Sequence, residues 1–114
     1  MPRFAKIKQL WKATVTAGDT KTEEWTADEN YILHQVLFIE ETGAELYKSQ
    51  VTIRIDNNVL TIEKCSAYIF NHDRRKSPIL DVPFEKDHKI TVSLENLEGA
   101  DKTIECDLIL YYPD

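Results

Sequence analysis

Apolar and polar residues alternate along most of this chain, in short runs that each end at a turn signal. From Val51 to Ile55 every second residue is aliphatic, and from Ile104 to Tyr112 the even positions are apolar. A period of two places one set of side chains on one face of a strand. The pattern therefore predicts seven or eight strands between Leu10 and Tyr112, in an all-β fold, an antiparallel β-sandwich or small barrel. No stretch sustains a helical period.

Strand one is expected over about Leu10–Ala17 and is closed by a turn at Gly18. Strand two, about Lys21–Thr26, is polar apart from Trp25, as suits an edge strand that must avoid pairing with other chains. Tyr31–Glu40 carries apolar residues on both faces, Ile32, Val36 and Phe38 on one and Tyr31, Leu33, Leu37 and Ile39 on the other. Such a strand is deeply covered, or it bends or bulges along its length. A turn at Gly43 then predicts a hairpin into strand four, Leu46–Ile55. Asp56-Asn57-Asn58 is a tight turn, and Val59–Phe70 is too long for one uniform strand, with a break expected near Lys64 to Ser66. Asn71–Pro78 is a charged loop. Pro83 limits Ile79–Phe84 to an edge or an extended connection. His88–Leu94 and Lys102–Tyr112 complete the set. The division is a basic N-terminal arm over 1–9 and one sandwich domain over 10–114.

Composition narrows the function classes. A chain of 114 residues holds one core and can bury roughly two-thirds of its unfolded surface. A net charge of −6 argues against nucleic acid as a partner, because counterion release rewards positive charge, and against an anionic membrane surface. Arg3, Lys6 and Lys8 interrupt any hydrophobic leader, and the longest apolar-rich stretch, Tyr31–Ile39, is about half of what a bilayer needs. The expected compartment is the cytoplasm in which the chain is made. Cys65 and Cys106 are read as two buried free thiols.

The search for chemistry returns little. His34, His72 and His88 lie apart from one another and from both cysteines, so no metal pair is local. His34 reads as a hydrogen-bonded core residue. No Gly-x-Ser-x-Gly, phosphate loop or His-Glu-x-x-His occurs, and no two carboxylates lie in an apolar setting of the kind glycosidases use. The expectation is no enzyme activity, no metal and no cofactor. Arg74-Arg75-Lys76 could grip an acidic partner surface. Trp25, Tyr111 and Tyr112 are candidate contact residues, since Trp and Tyr are enriched at interfaces.

The ordering of elements resembles small jelly-roll virion proteins, the capsid decoration, cement and turret modules of tailed phages and archaeal viruses. The residues that carry it are Thr14–Thr22, Trp25–Ala27, Gly43 ahead of Val51–Ile55 with its Asp56 turn, Ile90–Leu94, Asn96-Leu97 and Ile104–Tyr112. The resemblance implies an eight-strand jelly roll, no catalysis, and a homo-oligomer (a trimer or ring) docked on a capsid or other larger assembly, with the virion as destination. Contact surfaces are then expected at Arg3, Lys6, Lys8, Trp25, Arg74, Arg75, Lys76, Tyr111 and Tyr112, facing protein partners. The alternative is a carbohydrate-binding module that uses Trp25 as a sugar platform.

Overall fold

The computed structural model describes residues 3–61, 65–70 and 73–113. In chain order it contains β1 (Arg3–Val15), β2 (Thr20–Thr26), β3 (Tyr31–Glu40), β4 (Gln50–Ile55), β5 (Asn58–Val59) and β6 (Cys65–Ser66). A 3₁₀ turn at Ala67–Phe70 follows, then β7 (Val82–Phe84), β8 (Lys89–Glu95) and β9 (Lys102–Tyr112). All pairings are antiparallel, in two sheets ordered β1–β9–β3–β7 and β2–β8–β4–β5, with β6 beside β5 on the same edge of β4. The protein is an all-β sandwich. The chain crosses between the sheets at nearly every connection, and the first strand pairs with the last. That is the jelly-roll order, unlike the immunoglobulin sandwich, in which the first strand pairs with the second.

The core lies between the sheets. Trp11, Val15, Leu33, Val36, Phe38, Ile104, Cys106, Leu108 and Leu110 face Val51, Ile53, Ile90, Val92 and Leu94. Inward residues alternate with outward ones along each strand, as packed sheets require. Both thiols are free, with Cys106 in the core and Cys65 half-buried.

Three expectations are corrected. Residues from Arg3 onward do not form an arm. They are the first half of β1, paired with β9 from Arg3↔Tyr112 onward. Register shifts at Ala5 and Leu10 change which positions face inward, so the period of two that marks a strand is broken where it would have been read. The turn after β3 is present, with Gly43 at φ +81° and its N–H donating to Glu40 O, but it closes no hairpin. β3 and β4 belong to different sheets, and residues 41–49 cross between them. Strand four accordingly starts at Gln50 rather than Leu46.

The long fifth strand is two short pieces on one edge of β4, followed by the 3₁₀ turn. Residues 62–64, where its break was expected, lie outside the described residues, as do Asn71, His72 and the first two residues of the arm. β2 and β7 are edge strands, as the polar run and Pro83 require, and β3 has its bulge between Leu33 and Gln35. Among the described residues, no helix is long and apolar enough to cross a membrane.

Candidate functional site: the outer face of the four-stranded sheet

The structure gathers part of the expected contact set on the open side of the sandwich, between β1 and β2. Lys6 sets its ammonium 5.3 Å from the Trp25 ring centroid and 5.2 Å from that of Tyr31. Lys8 lies 5.2 Å from Trp25, and Arg3 lies 5.4 Å from Tyr112. Trp25 also packs against Tyr31 and Phe84, so its ring presents no open platform for a sugar. These cations close the sandwich rather than reach outward.

Arg74, Arg75 and Lys76 are exposed, lie apart from this cluster and have different neighbours. Arg74 Nε donates to Gln35 Oε1 at 3.1 Å. Arg75 grips Asp73 through both carboxylate oxygens and holds that carboxyl down at about 2. Lys76 lines a shallow groove with Tyr68, Ile69 and Pro78.

Tyr111 points the other way, to the outside of the β1–β9–β3–β7 sheet. There the register sets outward residues in rows across β1, β9 and β3: Phe4–Tyr111–Ile32, Ile7–Ile109–Gln35, Gln9–Asp107–Leu37 and Lys12–Glu105–Ile39. Seven of these twelve positions are apolar or aromatic. Ile109 and Leu37 are covered by their neighbours, whereas Phe4 and Ile7 remain 52% and 54% exposed.

The other sheet supplies an internal comparison. Its outward positions are Thr20, Thr22, Glu24 and Thr26 on β2, Lys89, Thr91, Ser93 and Glu95 on β8, and Gln50, Thr52 and Arg54 on β4. None is apolar. One fold thus presents one face suited to water and one that is not.

At the centre of the apolar face sits Asp107, 8% exposed, with Oδ1 buried and unpartnered among the described residues. Burial pushes its carboxyl up to about 7, helped by a hydrogen bond and charge repulsion from Glu105. Asp107 therefore holds its proton close to neutrality, with Glu105 two residues away on the same strand face.

The chain matches no family model, and no curated protein is significantly similar to it.

Two histidine–carboxylate pairs complete the chemically notable groups. His34 is hydrogen-bonded as expected but lies outside the core. The bulge turns it outward beside Gln35, where Nδ1 meets Asp81 Oδ1 at 2.6 Å and the ring lies 4.4 Å from Tyr111. His88 Nδ1 bonds Asp56 Oδ2, and the Lys89 N–H donates to Asp56 Oδ1. Those two contacts, the backbone one first, lower the Asp56 carboxyl. This pair borders a depression of about 440 Å³ lined by Ile55, Asn57, Asn58, Pro83 and Glu85, none of which carries a hydroxyl or thiol nucleophile. Among the described residues, no three metal-ligating side chains converge.

Sequence reasoning passed over Phe4, Ile7, Ile32, Leu37, Ile39, Asp107 and Ile109 as functional positions. Part of the signal was legible: β3 is apolar on both faces, and residues 108–111 of β9 form an unbroken apolar and aromatic run. Either means a strand covered on two sides.

Proposed function

We propose that the protein is a non-enzymatic assembly component, a jelly-roll module of the virion type that attaches to protein through the outer face of its β1–β9–β3–β7 sheet. The observation that carries this reading is the contrast between the two outer faces, one polar apart from Val59 at its edge and one with seven of twelve positions apolar or aromatic, Phe4 and Ile7 among them exposed. Contiguous exposed apolar surface of this kind marks interaction sites. The edges of the sandwich are the less suitable surface. β2 is polar, and β1 carries Lys6 and Lys8 turned inward, a device that discourages pairing between strands of different molecules.

A photo-crosslinking amino acid placed at Ile7, and separately at Thr22 on the polar face, tests the reading in cells that make the protein with its natural partners. Adducts to protein at Ile7 and none at Thr22 are expected, with the crosslinked peptide identified by mass spectrometry. Absence of protein adducts at Ile7, or equal adducts at both positions, overturns it.

A further inference from the structure

We infer that the occupant of the apolar outer face is the same face of a second copy of the chain, the two sheets stacked face to face about a two-fold axis. This rests on the assembly reading and names its partner. A twisted sheet is best covered by another sheet whose twist lets the two pack nearly aligned, and a second copy supplies an identical one.

The size suits a weak contact. Outward positions form four rows across three strands and a fifth, Thr14–Thr103, across two. At about 6.8 Å per row and about 4.8 Å per strand the face measures about 460 Å², so stacking covers roughly 900 Å² over both copies. That falls just short of the roughly 1,000 Å² that a stable specific interface clears, so the dimer is expected to be weak, in the micromolar range or above. A two-fold contact closes on itself and gives a dimer where the resemblance implies a trimer or ring.

The charges on the face add a condition. β9 is the middle of the three long strands, so two-fold stacking lays the Glu105–Asp107 pair of one copy near that of the other. From β1, Gln9 faces Asp107 and Lys12 faces Glu105. From β3, Leu37 and Ile39 occupy the corresponding positions. Beyond β3, Arg74 is tied to Gln35, and His34 lies against Tyr111. Each copy thus sets one cation, Lys12, in register with its two carboxyls, so the dimer brings two cations to four carboxyls, and close approach favours protonation. Dimerisation should take up protons and tighten on acidification. A basic partner on this face would behave in the opposite way, because it would hold the ionised carboxylates.

Sedimentation velocity of the full chain over a dilution series, at about pH 6 and about pH 8, is the test. The expected result is a monomer–dimer equilibrium at least threefold tighter at the lower pH. Ile7→Asp and Phe4→Ser, both at exposed positions, should each weaken it by about tenfold or more, with thermal unfolding as the control for folding. Asp107→Asn should remove most of the pH dependence, and Thr22→Asp should change nothing. Monomer at every concentration and both pH values overturns the inference, as does association that ignores Ile7→Asp or strengthens at pH 8. Monomer in solution together with Ile7 adducts to a different protein would remove the second copy and leave the assembly reading standing.

Discussion

Asp107 and Glu105 stand two residues apart on the outward side of β9, and Asp107 Oδ1 is buried without a partner among the described residues. A carboxylate in that position loses hydration and gains repulsion, so the fold favours the protonated form. A buried acid at the middle of this face does not help the monomer, and its presence there sets the first prediction.

An unfolded aspartate titrates near about 3.9, whereas Asp107 in the fold titrates at about 7. The folded state therefore binds the proton more tightly. Its contribution is most favourable below the unfolded value and is lost as pH rises from about 4 to about 7. Asp107→Asn should leave stability nearly unchanged at about pH 4 and raise it by about 1–2 kcal/mol at about pH 8. Urea unfolding of dilute protein at both pH values measures this. A difference that does not open between them would show that the carboxyl ionises freely.

The inward lysines of β1 carry the second prediction. Lys6 and Lys8 hold their ammoniums over Trp25 and Tyr31 while making a long edge strand hard to pair with another chain. Lys6→Ala with Lys8→Ala should cost about 1 kcal/mol in chemical denaturation and speed aggregation on gentle heating, followed by light scattering and thioflavin fluorescence. Lower stability with unchanged aggregation would leave the lysines a packing role only.

Much of the fold is readable from alternation, because a half-buried strand repeats its burial every two residues. β4, β8 and β9 follow the rule, and Pro83 and the polar β2 mark edges correctly. What escaped was set by contacts distant in sequence. The Gly43 turn is local chemistry, but the sheet β4 joins depends on β8, whose partners lie about forty residues further on. The bulges at Ala5, Leu10 and His34 shift the phase of alternation, which hid the first half of β1 and reassigned the faces of β3. Phe4 and Ile7 could not be matched to Ile109 and Tyr111 without that register. Deleting residues through Lys8 consequently removes half a paired strand, and the loss should fall on folding itself.

Trp25 yields the third prediction. Its ring is half-buried against Tyr31 and Phe84, so Trp25→Ala should lower stability by about 2–3 kcal/mol. A glycan array probed with wild type and variant checks the competing reading. Sugar binding that vanishes in a variant of wild-type stability would restore the platform role.

Glu98 joins three parts of the chain that are far apart in sequence. Its Oε2 accepts from the Lys48 N–H at 2.9 Å, the Ser49 N–H at 2.6 Å and the Ser49 hydroxyl at 2.8 Å, and so pins the crossing that leads into β4. Its own N–H donates to Asn96 Oδ1, and Asn96 Nδ2 donates to Val15 O at the end of β1 and to Ala100 O. Ser49 and Asn96 are fully buried, so donors stranded there have no water to turn to. Glu98→Ala removes the acceptor and should cost about 2–3 kcal/mol, whereas Glu98→Gln keeps an acceptor oxygen and should cost about 1 kcal/mol. Both variants remove the same charge, so the difference between them isolates the hydrogen bonds. Chemical denaturation gives the energies, and amide exchange at Lys48 and Ser49 should quicken in Glu98→Ala well before the strands open. Equal losses in the two variants would mean that the carboxylate acts through its charge, with the backbone of the crossing held by other contacts.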